Sequence, residues 1–315
     1  MLLRTIILRL MLGIVTVLAV TIVIFAATNI IPGDAARAIL GRAATPEAVA
    51  NLRAEMGLDR PLAVQYLSWL QGLAQFDLGQ SLVTHGPVAD LIAPRFQNSL
   101  ILLCVTALIA VPLSMVTGIA LALTKGRGFD NVVNTVLIML AGIPEFIVGI
   151  LLIVLLSTQV FQILPPTSMV PSGSSVLANP QVLVLPVTTL VLAILPYLAR
   201  LVRAALIDAM TSEYVVVARL KGVPETQVII RHALRNSLLP AIQATALSLG
   251  YILGGAVVVE FIFQYPGMGT ALRDAVGSRD LFVIQAVVLV FATGYVIFNL
   301  AADVLSIVVT PRLRD

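Results

Sequence analysis

Residues 213–240 read EYVVVARLKGVPETQVIIRHALRNSLLP and separate two long runs that carry almost no charge. Gly222 is typical of a residue that ends a helix, and Pro224 is typical of a first helical turn. The sequence therefore predicts two short helices with a break at Gly222. In the second helix, Arg231 and Arg235 lie four residues apart and share one side. This basic segment is either a mechanical contact for a partner protein or a loop whose positive charge only fixes membrane topology.

The flanking sequence is too apolar for a soluble protein. Hydrophobic residues make up 59% of the chain and charged residues only 11%, against about 25% charged residues in soluble domains. A bilayer must therefore replace water around most of the chain. The net charge of +3 does not indicate nucleic-acid binding, because the basic residues form short blocks between apolar runs. Cys104 is the only cysteine, so neither an intrachain disulfide nor a thiolate metal site is expected.

Uncharged runs of about 20 residues, the length of a membrane helix, recur along the chain. They predict an all-α integral membrane protein in which residues 1–315 form a single transmembrane domain. The six predicted spans lie near 9–29, 98–124, 131–158, 182–206, 238–262 and 282–309. Between them lie a predicted outer loop at 30–97 and a predicted inner loop at 207–237.

The Lys and Arg residues predict the orientation of these spans. With the N-terminus inside, twelve of the nineteen fall in inner segments, and most of the others lie in the long outer loop, where charge has little influence on topology. Both termini are therefore predicted to be cytoplasmic. The first span could instead be a cleaved signal peptide, since Arg4 and Arg9 precede its apolar core. The length of the uncharged run 10–33 favours a retained helix.

The outer loop contains two predicted helices. Thr45, Pro46 and Glu47 combine an N-cap, a first-turn proline and an acidic first turn. A second helix is predicted from Pro61 to about Leu73, where apolar residues recur at helical spacing. These helices form a cap on the bundle or a docking platform for a substrate-delivery protein, and the two interpretations are compatible.

Acidic residues inside the predicted spans are candidates for the translocation pathway. Glu145 follows Pro144 in the middle of the third span, where a carboxylate is costly and normally faces the bundle interior or a wet cavity. Glu145 either lines the route and contacts an amine or a cation, or it is a structural group bonded to backbone that the proline frees. Glu260, near the outer end of the fifth span where partial hydration is expected, is either a gate or a structural cap. Asp303 in the last span is expected to pair with a cation of the inner loop.

No arrangement of residues indicates catalysis or a bound cofactor. His232 in the basic segment and His85 in the outer loop are the only histidines, and no nucleophile with a base and an orienting group stands out. A metal site is therefore not expected. The chain also lacks a Gly-x-x-x-x-Gly-Lys-Ser/Thr phosphate loop, the usual signature of a nucleotide site of that class.

Short stretches along the chain match a known pattern in their order and spacing. They are Ile31–Asp34 (IPGD), Gly57–Leu62 (GLDRPL), Gln65–Tyr66, Asp77–Ser81 (DLGQS), Gly142–Phe146 (GIPEF), Ala218–Gly222 (ARLKG), Arg231–Asn236 (RHALRN), Val259–Phe263 (VEFIF), Pro266–Gly267, Asn299, Asp303 and Pro311–Arg312. Through them, nearly the whole chain resembles the inner-membrane permease subunits of bacterial ABC importers for dipeptides, oligopeptides and nickel.

The resemblance implies a type I ABC importer permease fold, in which the loop 207–237 is a cytoplasmic coupling loop whose short helix sits in a groove of an ATPase subunit. The implied coupling residues are Ala218, Lys221, Gly222, Arg231, His232, Arg235 and Asn236. The implied assembly combines this subunit with a second homologous permease, two ATPases that bind ATP and Mg, and a periplasmic or lipid-anchored substrate-binding protein. The subunit itself would be no enzyme, would bind no cofactor, and would form half of a pathway for di- or oligopeptides in the bacterial inner membrane.

Small residues on the fifth span offer a place for the second permease. Gly250, Gly254 and Gly255 give this span a face that allows close contact between helices in lipid. The face is a candidate permease–permease interface, or it packs within the chain itself.

Some positions depart from the family pattern. The general importer consensus begins Glu-Ala-Ala, whereas Val216, Val217 and Ala218 keep only the last alanine, although Gly222 is retained. Thr310 stands where an aspartate usually precedes Pro-Arg. Individual coupling contacts therefore cannot be carried over one by one.

The substrate and the class of transporter both have alternatives. Nickel or an oligosaccharide could replace a peptide, since selectivity in this class resides largely in the delivery protein. An autonomous secondary transporter is the alternative from a different class, but no internal repeat is visible and six spans are few for such a protein. A membrane-embedded enzyme would need a second catalytic group at the depth of Glu145, and the sequence offers none.

Overall fold

The computed structural model describes residues 2–30, 35–40, 44–55, 57–171 and 175–309. Within these ranges the regular secondary structure is helical, apart from one isolated bridge between Gln80 and Pro87. The predicted all-α class is therefore confirmed. The family matches at 31–34 and 311–312, and Thr310, lie outside the described residues.

The α-helices are numbered in chain order. They are α1 (Leu2–Ile30), α2 (Ala35–Leu40), α3 (Pro46–Glu55), α4 (Leu62–Ala74), α5 (Val88–Leu123), α6 (Gly128–Ala141), α7 (Glu145–Ile153), α8 (Gln181–Met210), α9 (Glu213–Leu220), α10 (Glu225–Gln227), α11 (Arg235–Phe263), α12 (Met268–Ser278) and α13 (Leu281–Val309). Two π-helical segments, Val154–Thr158 and Val228–Leu234, continue α7 and precede α11, and a 3-10 turn covers Val176–Ala178.

Within the described part of the chain, four helices are long and apolar enough to cross a membrane. The four stretches are Ile7–Asn29, Val88–Leu123, Gln181–Met210 and Leu281–Ala301. Two more candidates are bent pairs of helices: Gly128–Ala141 with Glu145–Thr158, at 101°, and Gly250–Phe263 with Met268–Ser278. Counting each pair as one span gives up to six, so the six-span count stays a prediction.

The first bend interrupts the span that was predicted to run continuously over 131–158. The N–H of Gly142 turns back to the carbonyl of Met139 at 3.2 Å, which ends α6 in a tight turn. Pro144 follows with φ −56° and ψ 142°, and α7 begins at the next residue. The chain bends here because proline both lacks the N–H that would continue α6 and fits the start of a new helix.

The contacts group the chain into two units, and α8 is the centre of the first. This unit consists of Met1–Leu10, Leu100–Tyr265 and Ile297–Asp315. Within it α8 packs against α6, α7 and α11, and its Leu190 and Leu206 are almost fully buried. Gly118 lets α5 approach α8 closely, because a Cβ there would lie 2.5 Å from the backbone oxygen of Ala199.

The second unit has a separate apolar core and consists of Met11–Ser99 and Pro266–Val296. Its buried side chains include Val88, Ile92, Met268, Ala271 and Val287. Asp280 is buried beside this core and precedes α13. Its carboxylate accepts hydrogen bonds from the Ser81 hydroxyl and the Leu82 N–H, which fix the loop before α5.

The two helices predicted in the outer loop are confirmed. α3 begins at Pro46, and the Thr45 hydroxyl accepts a hydrogen bond from the Ala48 N–H at 3.2 Å, as an N-cap does. α4 packs its Tyr66 and Trp69 rings against Phe25 of α1, with centroids 5.3 and 6.0 Å from the Phe25 ring. The docking role of this loop stays a prediction.

Candidate transport site and coupling segment

The predicted break in the basic segment is confirmed at Gly222. α9 ends at Leu220, and Gly222 has φ +75°, a left-handed conformation that glycine adopts at little cost. The N–H of Val223 bonds to the carbonyl of Ala218 at 3.2 Å, which closes the end of the helix. The chain then turns through Pro224 into α10.

An ion pair braces this break. Arg219 donates two hydrogen bonds to the Glu225 carboxylate, from Nη2 to Oε1 at 2.6 Å and from Nε to Oε2 at 3.1 Å. The hydrogen bond from Arg219 lowers the pKa of Glu225, so this carboxylate stays ionised to a lower pH than an ordinary glutamate. The pair joins the last turn of α9 to the first turn of α10, across the glycine.

The second short helix differs from the prediction, because it is not separate. α10 passes through the π-helical segment Val228–Leu234 directly into α11. No glycine occurs between Gly222 and Gly250 to end the helix. The basic residues Arg231 and Arg235 thus lie at the start of the long fifth helix.

The faces of α9 divide into one that is buried and one that is open. Val215 and Ala218 pack against Leu206 of α8 and other apolar residues of the first unit. Tyr214, Val217 and Leu220 lie on the open face of α9. Tyr214 and Val217 are about half exposed, and Leu220 is 82% exposed. An apolar face that its own chain leaves uncovered is typical of a surface that contacts another protein.

The predicted coupling residues do not all share the open surface. Lys221, Gly222, Arg231, Arg235 and Asn236 are exposed, and His232 is partly buried. Ala218 instead faces its own bundle and is 7% exposed. The sequence interpretation overlooked Tyr214, Val217 and Leu220, although their three-residue spacing signals one helix face. The coupling roles themselves stay a prediction.

Glu145 lies at the bend between α6 and α7 and makes few contacts. It opens α7 after Pro144 and is partly buried, whereas Pro144 is exposed. The Tyr251 hydroxyl on α11 lies 3.5 Å from its Oε2, a long hydrogen bond. Gly255 leaves room for the carboxylate, since a Cβ there would lie 3.5 Å from Oε1. Within the described part of the chain, Glu145 forms no ion pair.

Glu260 is buried, whereas the sequence interpretation expected partial hydration and left a gate and a structural cap as alternatives. Its side chain is 1% exposed, and Phe263 and Tyr265 beside it are fully buried. The chain turns back just after α11, where Gln264 adopts a left-handed conformation and the Tyr265 N–H bonds to the Glu260 carbonyl at 2.8 Å. This fold-back covers the glutamate, so Glu260 lines no open route in this conformation.

The three glycines of the fifth span have different surroundings. Gly255 is buried within the chain, between Glu145 and Leu190 of its own unit. Gly250 is also buried, whereas Gly254 is exposed and a Cβ there would meet nothing within 4 Å. Gly254 therefore remains a candidate for the permease–permease interface, and packing within the chain accounts for Gly255.

Two ion pairs of the first unit involve membrane helices. Asp303 pairs with Arg9 of α1, not with a cation of the inner loop as expected. Arg203 of α8 holds Asp130 through two hydrogen bonds of 2.7 Å, and Asp130 is only 2% exposed. Sequence reasoning missed this second pair, although a cation and a carboxylate inside apolar helices usually signal a partner.

Residues that could hold a metal ion do not cluster: no group of three or more His, Cys, Asp or Glu side chains occurs in the ranges that the structure describes.

Comparison with known proteins identifies the architecture. The family described as binding-protein-dependent transport system inner membrane component matches residues 96–315, and its N-terminal counterpart matches residues 2–103. The chain belongs to this family. The predicted resemblance is thereby confirmed: the permease is a multi-pass inner-membrane component of an ABC importer, and its family comprises transport proteins, not enzymes.

Relatives of this permease match along nearly its whole length. It is 36% identical over 309 residues to the glutathione transport system permease protein GsiC of Salmonella typhi, covering 98% of each chain. It is also 36% identical over 299 residues to the protein of the same name from Escherichia coli (strain K12), covering 95% of each chain. A permease of this family works in a transport system that depends on a substrate-binding protein.

Proposed function

We propose that this permease forms half of an inner-membrane pathway for di- or oligopeptides that a substrate-binding protein delivers. The full-length similarity to permeases named for glutathione, itself a tripeptide, is the observation that favours a peptide substrate. The other half of the pathway is a second homologous permease. Two ATPase subunits supply the energy, and ATP and Mg bind to them.

The basic segment is the proposed contact with an ATPase. Three features support this role. The apolar face of α9 is uncovered, with Leu220 82% exposed. The cations Lys221, Arg231 and Arg235 of the same segment are exposed, and the Arg219–Glu225 ion pair links α9 to the start of α10. A force applied to α9 would thus reach the membrane bundle. Both termini and this segment lie in the cytoplasm in this proposal.

The bend at Pro144 and Glu145 is the proposed position of the translocation route. The bend exposes Pro144 and leaves the Glu145 carboxylate without an ion pair in the described structure. Inside a membrane, backbone that is not helical must be buried in protein or must line a water-filled cavity. We exclude Glu260 from the route in this conformation because it is buried.

Reconstitution tests the proposed function. The four membrane-associated subunits are purified together, placed in proteoliposomes, and supplied with the substrate-binding protein and ATP. We expect uptake of a labelled peptide such as trialanine that requires both ATP and the binding protein. Uptake of nickel or an oligosaccharide in its place would assign a different substrate. Uptake by the permease alone, driven by an ion gradient without ATP, would contradict the proposal.

A further inference from the structure

A cavity of about 420 Å³ lies within the first unit, beside the bend at Glu145. Its lining residues are Ala141 at the end of α6, Ala193, Ile194 and Tyr197 in the middle of α8, and Ser248 and Tyr251 in the middle of α11. The volume lies within the range of roughly 300–1,000 Å³ that small-molecule sites occupy. Mostly apolar walls with a few polar groups are also typical of such sites.

Ser248 lines this cavity and carries a buried hydroxyl group. Its side chain is 5% exposed, and its Oγ has no hydrogen-bond partner in the described structure. Serine in a helix commonly bonds to a carbonyl of the preceding turn, and a buried hydroxyl without any partner is unfavourable. Because its Oγ is itself inaccessible, Ser248 is part of the wall of the cavity.

Tyr251 connects the cavity wall to Glu145. Its hydroxyl lies 3.5 Å from Glu145 Oε2, so this weak bond leaves most of the acceptor capacity of the carboxylate unused. Tyr197 and Tyr251 are each more than half exposed. The faces of tyrosine rings attract cations within roughly 6 Å. The cavity thus combines aromatic faces and hydroxyl groups with a carboxylate at its edge.

We propose that Glu145, Tyr251 and Tyr197 form a site for a primary ammonium group, the amino end of a peptide in transit. This inference rests on the proposed peptide-importer function and names the chemistry of its route. An ammonium group has three donors and no acceptor, and it matches the Glu145 carboxylate and the hydroxyl oxygen of Tyr251, which lie 3.5 Å apart. The carboxyl end of a peptide would instead be repelled by Glu145.

A purely structural role for Glu145 makes a different prediction. Glu145 is in the first turn of α7, where the helix N-terminus stabilises negative charge. That role would not distinguish a charged substrate from a neutral one. The decisive measurement therefore varies the charge of the substrate as well as that of the protein.

The experiment compares trialanine with N-acetyl-trialanine, which lacks the ammonium group. The complete transporter is reconstituted with saturating binding protein, and uptake is measured for wild type and Glu145→Gln. We expect Glu145→Gln to lower trialanine uptake about tenfold, the effect of a hydrogen bond to a charged group. Uptake of N-acetyl-trialanine should not change. The matched control is Asp90→Asn, in the exposed first turn of α5, which should behave as wild type with both peptides.

A second measurement covers the case in which the binding protein rejects the acetylated peptide. The purified permease–ATPase complex, without binding protein, is heated in the presence of each peptide. We expect trialanine to raise the melting temperature of wild type but not of Glu145→Gln, and N-acetyl-trialanine to raise neither. Equal stabilisation of both proteins by trialanine, or stabilisation of neither, would overturn the site.

The two proposals fail in different ways. If the wild-type transporter takes up no peptide at all, the proposed function is wrong. If the wild type takes up trialanine and Glu145→Gln takes it up equally well, only the ammonium site is wrong. Should Glu145→Gln not assemble, Tyr197→Leu takes its place with Tyr197→Phe as control, because phenylalanine keeps an aromatic face and leucine does not. Equal uptake of trialanine by these two variants would count against the site.

Discussion

Asp130 shows how a charge is kept inside an apolar bundle. Its carboxylate is 2% exposed and receives two hydrogen bonds of 2.7 Å from Arg203 and one of 2.9 Å from the Gly126 N–H. These bonds tie the start of α6 to α8. A buried ion pair does not always stabilise a protein, because removing both charges from water is costly. Removing only one member is nevertheless destabilising, because it leaves the other charge buried and uncompensated.

Asp130→Asn should therefore destabilise the transporter. The expected loss is about 3 kcal/mol, because the Arg203 guanidinium would be left without its counter-charge. Thermal unfolding of the purified complex measures the effect as a lowered melting temperature. Asp59→Asn, which removes the exposed pair with Arg53, is the control and should cost less than about 1 kcal/mol. Equal shifts in the two variants would contradict the structural role of Asp130.

At the scale of elements, the end of a helix was easier to predict than the ion pairs between residues far apart in the sequence. The break at Gly222 was predictable because a glycine followed by proline acts within one turn of helix. The pairing of Asp130 with Arg203 joins residues 73 apart in sequence, and that of Asp303 with Arg9 depends on which helices are neighbours. Likewise, the sequence places Glu145 in an apolar run, but only the fold brings Tyr251 and the cavity beside it.

The left-handed conformation of Gly222 leads to a prediction about coupling. Gly222→Val should strain the turn by about 1–2 kcal/mol, because a β-branched residue disfavours positive φ. A clash is not the cause, since a Cβ there would meet nothing within 4 Å. We expect normal amounts of protein in the membrane with reduced peptide uptake per ATP hydrolysed. Gly222→Asn is the matched control, because asparagine tolerates this conformation. Full uptake by the valine variant would remove Gly222 from the coupling mechanism.

The open face of α9 leads to a second prediction at this scale. Leu220→Ser should weaken binding of the ATPase, because burying a leucine contributes about 2 kcal/mol, which corresponds to roughly thirtyfold in affinity. Titration of the purified permease pair with ATPase measures this change. The control is Leu177→Ser, an exposed leucine of the predicted outer surface, which should leave the affinity unchanged. Equal affinities for wild type and Leu220→Ser would place the ATPase contact elsewhere.

At the scale of the whole molecule, the proposed topology places the basic segment in the cytoplasm. In the described structure, no other part of the chain covers most of the large apolar side chains of α1. This is expected for a helix that faces lipid or another subunit. The helices allow up to six crossings. An even number of crossings would leave both termini on the same side.

Cysteine labelling tests this topology, and the single natural cysteine makes it simple. In a Cys104→Ser background, Ser175→Cys should react with a membrane-impermeant maleimide in intact cells after the outer membrane is made permeable. Thr226→Cys, beside the Arg219–Glu225 brace, should react only once the inner membrane is opened. Labelling of Thr226→Cys before that step would place the basic segment outside and remove any contact with a cytoplasmic ATPase.

The sharp turn between α6 and α7 has a consequence for the energy balance of the cell. Residues 142–144 are exposed and their backbone has left the helix, and such backbone cannot face hydrocarbon. Either a neighbouring subunit or a column of water must cover it. Water at that depth would conduct protons, so the resting importer needs a seal on at least one side to prevent discharge of the respiratory gradient.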